Sequence, residues 1–87
     1  MSIESNRVLV LHRYIAENDS EEITTSHYKA RFIKGEYYHA AKYYGVSGFE
    51  DEWYCIVIGV FEVRGVREEI KPFVLKWDCK KYLTHKP

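Results

Sequence analysis

The residues of this 87-residue chain that are best suited to acid–base chemistry, nucleophilic attack or metal binding are histidines and cysteines. They are His12, His27, His39, His85, Cys55 and Cys79. None of the histidines has a nucleophile or carboxylate at the spacing of a catalytic motif, and His39 with Glu36 three residues earlier is typical of an ordinary surface pair. A glycine-containing segment at 45–48 lacks the lysine that a phosphate-binding loop requires. The sequence therefore predicts no catalytic residue and a protein that is not an enzyme.

The two cysteines are far apart and neither belongs to a short-spaced pair. Structural zinc sites usually draw their ligands from two such pairs, so the spacing argues against a metal site. Cys55 alternates in register with Trp53 and Val57, which indicates a small buried apolar residue. Two cysteines also do not make the disulfide framework of a small secreted protein. We expect no metal, no cofactor and two reduced thiols.

A basic segment that carries aromatic residues suggests one kind of binding site. Between His27 and Tyr44 the cations outnumber the only acidic residue, Glu36. Cations that bind phosphates and aromatic rings that stack on bases are typical of proteins that bind single-stranded nucleic acid. The candidate nucleic-acid-binding residues are Lys29, Arg31, Lys34, Tyr38, Lys42 and Tyr43. The net charge of zero and the acidic segments 17–22 and 50–52 oppose a broad phosphate-binding surface, so this function is the alternative.

Aromatic residues make up 16% of the chain, and eight of them are tyrosines. Tyrosine and tryptophan dominate the energetics of protein interfaces, although a small domain also uses them to thicken a thin core. The candidate protein-binding residues are Trp53, Tyr54, Trp77 and Tyr82. The favoured function is a non-catalytic binding or regulatory module with a protein partner. Such a module could be an inhibitor, an immunity-type protein or an accessory protein of a phage or mobile element.

Hydropathy gives no sign of a membrane protein or of an exported one. The first seven residues are polar, without the apolar core of a secretory signal. The longest apolar runs are well short of the roughly 20 residues that a membrane-spanning helix needs. The expected location is the cytoplasm.

The segment 53–64 most clearly predicts secondary structure. It is rich in β-branched and aromatic residues, and up to Glu62 it is apolar at both alternating sets of positions. This pattern is typical of a strand that lies inside a sheet and is covered on both faces. The segment therefore predicts a central strand.

The remaining elements are predicted from shorter patterns. Segments 7–15 and 23–33 read as two strands joined in an antiparallel hairpin. Segment 68–77 reads as a strand that Pro72 places at an edge, or whose start at least it places outside the ladder. Segment 35–44 has the spacing of a helix whose buried face holds Tyr37, Ala40, Ala41 and Tyr44, and a glycine follows that would end the helix. Tyr38, Lys42 and Tyr43 would lie off that buried face. Segment 78–83 predicts one further helical turn.

These elements predict a single α+β domain over residues 1–87. Its sheet has four mainly antiparallel strands, in the order strand–strand–helix–strand–strand, with one short helix packed on one face. A helix of ten residues covers only part of one face of the central strand. Either the C-terminal segment also packs across the sheet, or a second copy covers the bare face, and we expect a homodimer.

Overall fold

A computed structural model describes residues 10–24, 28–47, 50–76 and 79–87. Strands dominate these ranges, and the single helix within them is short. The strands are β1 (His12–Ile15), β2 (Ile23–Thr24), β3 (Lys29–Phe32), β4 (Tyr37–Ser47), β5 (Glu50–Val63), β6 (Val66–Leu75) and β7 (Thr84–His85). The helix is α1 (Cys79–Tyr82), which lies within the helical turn predicted at 78–83.

All seven strands belong to one sheet with the order β2-β3-β5-β4-β1-β7, and β6 also pairs with β5. Every pairing is antiparallel. Phe61 of β5 lies opposite Phe32 of β3 and also opposite Glu68 of β6, so β3 and β6 are on different edges of β5. The central position predicted for this strand is confirmed, as is the edge position of β6.

The helix predicted over residues 35–44 is wrong. These residues contribute most of β4, which pairs with β5 from Tyr38 opposite Gly59 to Ser47 opposite Glu50. Tyrosines favour strands, and a long antiparallel pairing satisfies the backbone of a segment too short to be helical alone. The α+β class and the four-stranded sheet with a packed helix are therefore wrong as well. The fold is a mainly antiparallel β-sheet of seven strands.

The first two predicted strands also pair differently from the expected hairpin. β1 pairs with β4 and β7, whereas β2 pairs with β3. The predicted strand 23–33 is present as β2 and β3, and residues 25–27 lie outside the described ranges. The polar segment after β1 instead runs to the end of β3, where the backbone N–H of Ser20 donates to the carbonyl of Phe32 at 3.1 Å.

The core lies on one face of the sheet and is aromatic. Phe32, Tyr38, Phe61 and Phe73 are all at least 99% buried. The ring of Phe61 lies 4.9 Å from Phe32, 5.2 Å from Tyr38 and 4.6 Å from Phe73. Clusters of this kind supply a large buried apolar area from few residues, which a chain of this size needs.

A disulfide joins the sheet to the C-terminal segment. Cys55 of β5 and Cys79 of α1 are bonded, with their Cα atoms 6.1 Å apart. The expectation of two reduced thiols is therefore wrong. The two residues are distant in sequence, and only the return of the chain after β6 brings α1 over Cys55, so their spacing carried no signal. No helix among the described residues is long and apolar enough to cross a membrane.

Candidate protein-binding surface

The far end of the β4–β5 hairpin extends beyond its neighbouring strands. Pairing between β1 and β4 stops at Ala40, and pairing between β6 and β5 stops at Cys55. Within the described part of the chain, the segments 43–47 and 50–54 therefore pair only with each other. We call this two-stranded projection the aromatic ribbon, after the four residues Tyr43, Tyr44, Trp53 and Tyr54.

These four residues form two cross-strand pairs. The rings of Tyr43 and Tyr54 are stacked, with centroids 5.5 Å apart, and those of Tyr44 and Trp53 meet edge to face at 5.1 Å. Because successive side chains of a strand point to opposite faces, the two pairs lie on opposite faces of the ribbon. Aromatic pairs directly across a ladder stabilise a two-stranded ribbon, and among the described residues no third strand pairs with this one.

The Tyr44–Trp53 pair lies on the core side of the sheet, yet it is the more exposed of the two pairs. Trp53 is 49% exposed and Tyr44 is 39% exposed, because the buried cluster ends near Cys55. Two large rings held rigidly at a surface offer apolar area at a small cost in side-chain entropy. This geometry suits contact with another protein.

A second apolar surface, which we call the open face, lies on the side of the sheet away from the core. Its central residues are Ala41 of β4, Ile56 and Ile58 of β5 and Val74 of β6. Ala41 and Val74 both lie opposite Ile56 in the ladders. Ala41 is buried, but Ile56 and Ile58 are only half-buried and Val74 is exposed. This face of the central strand is therefore only partly covered within one chain, and its coverage by a second copy stays a prediction.

Two of the predicted protein-binding residues, Trp53 and Tyr54, lie on the aromatic ribbon. Tyr82 instead stacks on Phe32 at 5.3 Å, and its hydroxyl donates to Oε2 of Glu21 at 2.8 Å. Burial raises the pKa of Tyr82, and the Glu21 carboxylate adds to this rise. The same hydrogen bond is the main reason that the pKa of Glu21 is lowered. Tyr82 therefore packs against the core and away from the aromatic ribbon, and Trp77 lies outside the described residues.

The six predicted nucleic-acid-binding residues do not share a surface. The register places Lys29, Arg31 and Tyr43 on the side of the open face, whereas Lys42 lies opposite Cys55 on the core side. Lys34 is in the turn before β4. Arg31 pairs with Glu62 at 3.1 Å, which offsets its charge.

Tyr38, the sixth of these residues, is fully buried and cannot stack on a base. Its hydroxyl donates to the carbonyl of Val60 at 2.6 Å and accepts the N–H of Ile33 at 3.0 Å. Burial raises the pKa of Tyr38 to about 12. It was assigned to an exposed helix surface because residues 35–44 were predicted to be helical.

Tyr44 is the ribbon residue that neither predicted set contained. The helical pattern placed it on a buried face, but in a strand it lies opposite Trp53. If 37–47 had been recognised as a strand paired with 50–59, the alternation of its side chains would have placed Tyr44 beside Trp53 as a ribbon residue. Among the residues that the structure describes, no group of three or more histidine, cysteine or acidic side chains could hold a metal ion.

The chain was compared with protein-family models, with curated proteins and with solved structures, and none of the three comparisons gave a match.

Proposed function

We propose that this protein is a non-catalytic binding module that acts on a protein partner through the aromatic ribbon. The observation that carries the proposal is the Tyr44–Trp53 pair, which is held in place by the ladder and is 39% and 49% exposed, respectively. Inhibition, immunity-type protection or an accessory role would each use such a surface. The ribbon supplies rigid aromatic side chains, and it is narrow enough for a partner to contact both of its faces.

The backbone of the ribbon adds a second means of recognition. Beyond Ala40, the edge of β4 that faces away from β5 has no strand beside it among the described residues. A partner can add an extended segment to such an edge, gaining main-chain hydrogen bonds while the aromatic rings give specificity. We therefore expect a partner that offers an extended segment with apolar side chains.

The test compares capture of partners by the wild type and by variants. Tyr44→Ala with Trp53→Ala removes the exposed pair, and Tyr28→Ala is the control, since Tyr28 is 41% exposed but lies outside the ribbon. We expect the double variant to lose a protein that the wild type and the control both retain. Calorimetry with that purified protein should then show affinity weakened about tenfold or more, as for truncation of interface aromatics. Equal affinity for all three proteins would contradict the proposal.

A homodimer is the second part of the proposal, and the open face is the surface that a second copy would cover. A sheet face of isoleucine and valine side chains that are partly or fully accessible to water resembles the inner face of a separated β-sandwich. A two-fold axis parallel to the strands would place β6 of one copy over β1 of the other. Glu69 of β6 would then face Arg13 of β1, which supplies opposite charges at the rim.

Nucleic-acid binding remains the alternative. Anisotropy measurements with random-sequence oligonucleotides test it, and we expect no binding even at low salt. Binding that weakens log-linearly with salt, and that is lost in Lys29→Glu with Arg31→Glu, would instead support this alternative.

A cytoplasmic location is likewise a proposal. The Cys55–Cys79 disulfide is more typical of an oxidising compartment, so the oxidation state of the two thiols in cells is informative. Trapping thiols before lysis tests the location directly. Reduced cysteines in the cytosolic fraction would support it, and the disulfide-bonded form in an exported fraction would contradict it.

A further inference from the structure

Of the histidines that the structure describes, only His39 lies on the open face. Its neighbours along β4, Tyr38 and Ala40, are buried in the core, so strand alternation directs His39 to the other side of the sheet. In the ladders it lies between Arg13 of β1 and Ile58 of β5. It is exposed in the single chain. A side chain that can gain a proton therefore stands in the middle of the surface that a second copy would cover.

The homodimer proposed above would remove His39 from water. Its two-fold axis places β6 of one copy over β1 of the other, and β4 therefore lies over β5. Rotation about an axis parallel to the strands leaves each residue at its own level along them. Because His39 and Ile58 are cross-strand neighbours, they share one level. His39 of one copy would therefore meet Ile58 of the other at the centre of the interface.

The neutral and the protonated imidazole differ greatly in the cost of this burial. Removal of an ion from water is far more costly than removal of a neutral polar group, unless an opposite charge accompanies the ion. Ile58 on β5, and Tyr37 and Ala41 two residues away along β4, bring no charge at neutral pH. Arg13 on β1 brings a like charge, and like charges directly across a ladder repel. The single chain thus offers a protonated His39 no compensation at these positions.

The second copy would not supply the missing counter-charge either. The carboxylate that its β6 brings to this part of the interface is Glu69, which pairs with Lys71 of the same strand, with Nζ and Oε1 3.7 Å apart. Glu69 would also face Arg13, so two cations would already share one carboxylate. Glu62, the carboxylate of β5 on the open face, pairs with Arg31 at 3.1 Å. A protonated imidazole would therefore add a further positive charge to an interface without a carboxylate to spare for it.

We propose that protonation of His39 dissociates the homodimer, so that the two copies associate at neutral pH and separate in mild acid. This regulation rests on the homodimer proposed above. Imidazole is the side chain that ordinarily changes its charge between about pH 5 and 8. Because the dimer disfavours the protonated form, association releases protons, and a fall in pH must weaken it. Each copy contributes one imidazole, so the dissociation constant rises by up to about 100-fold per pH unit on the acid side of the titration.

Sedimentation velocity at about pH 7.5 and about pH 5.5 tests the proposal, because the ordinary titration of imidazole lies between these values. We expect the dissociation constant of the wild-type dimer to be at least about tenfold larger at the lower pH. His39→Gln cannot gain a proton and should be dimeric at both pH values. His39→Lys carries a permanent charge and should be monomeric at both. Both variants should fold, because His39 is exposed in the single chain, and circular dichroism at each pH verifies this.

His12→Gln is the matched control, since His12 lies opposite Ala40 on the core side of the sheet. It should keep the pH dependence of the wild type. Two results would overturn the regulation and leave the homodimer in place: a wild-type dissociation constant that does not change with pH, or the same pH dependence in His39→Gln as in the wild type. A wild type that is monomeric at both pH values would overturn the homodimer, and the regulation with it.

Discussion

Tyr38 shows most directly how one side chain organises this small core. Its ring packs between Phe32 and Phe61 and lies against Gly59, where a Cβ atom would overlap it. Its hydroxyl makes two hydrogen bonds to the backbone: it donates to the carbonyl of Val60 and accepts from the N–H of Ile33. The chain therefore uses a glycine in the middle of its central strand to admit a polar aromatic residue.

The first prediction is that Tyr38→Phe destabilises the protein. The substitution keeps the ring but leaves a backbone donor and a backbone acceptor without this partner, at a cost of about 1–3 kcal/mol. The free energy of unfolding in urea measures the effect. Tyr37→Phe is the control, because Tyr37 is 50% exposed. Equal stability of the two variants would contradict the role assigned to the Tyr38 hydroxyl.

The second prediction concerns alkaline pH. The pKa of Tyr38 rises from an ordinary value of 10.0 to about 12 in the folded protein, because burial disfavours the phenolate. A raised pKa means that the unfolded state loses this proton first as the pH rises. The contribution to stability is therefore complete below pH 10 and is lost between pH 10 and about 12. The difference in unfolding free energy between wild type and Tyr38→Phe should shrink across that window. A constant difference would contradict the assignment.

At the scale of the elements, the disulfide between β5 and α1 leads to the third prediction. The cross-link closes a loop between residues 24 positions apart and so restricts the unfolded chain. Reduction should lower the free energy of unfolding by about 2–4 kcal/mol. Urea unfolding with and without a thiol reductant measures this loss.

Cys79→Ala is the control for that experiment. The variant should start at the lower stability and should not respond to the reductant. Titration of thiols in denatured, unreduced wild-type protein provides a separate check. Two free thiols per chain in that titration would show that the bond is absent.

The strands also show which parts of the fold could be predicted from the sequence alone. β5 was predictable because its long run of β-branched and aromatic residues fits no other structure. β6 was predictable because Pro72 restricts it to an edge. β4 was not, because Tyr37, Ala40, Ala41 and Tyr44 also match the spacing of a helix face, and only pairing with β5 decides between the two.

The same error at β4 limited what could be predicted of the candidate sites. Trp53 and Tyr54 were identified because they begin a recognisable strand, whereas Tyr44 was missed and Tyr38 was placed at the surface. The adjacency of β7, β1 and β4 was also not predictable, because no local pattern specifies that order of strands. Pairing of distant segments is determined by the whole chain, so local periodicity does not reveal it.

At the scale of the whole molecule, the two faces of the sheet differ in how completely they are buried. One side encloses the aromatic core. The other is the open face, where Ile56, Ile58 and Val74 remain partly accessible to water. A central strand with apolar residues on both faces is consistent with a state in which another layer covers that face.

The last prediction is that this layer is a second copy of the chain. Ile58 is half-buried near the centre of the open face, opposite His39. A glutamate there would remain hydrated in the monomer but would be buried in a face-to-face dimer, at a large desolvation cost. Sedimentation velocity should therefore show a dimer for the wild type and a folded monomer for Ile58→Glu. Val66→Glu, at the first residue of β6, where the side chain is 60% exposed, should remain dimeric.

A pair of charge reversals tests the orientation of the two copies independently of apolar contact. Glu69→Arg should weaken the dimer, because it would place two arginines together at the rim, and adding Arg13→Glu should restore it by exchanging the charges. A sedimenting monomer for the wild type at tens of micromolar would contradict the dimer altogether. If Ile58→Glu disrupts the dimer but neither charge reversal affects it, the open face would still be the dimer interface, but the proposed two-fold axis would be excluded. Because the two copies meet by the same surface, each substitution acts twice, and the expected changes are correspondingly large.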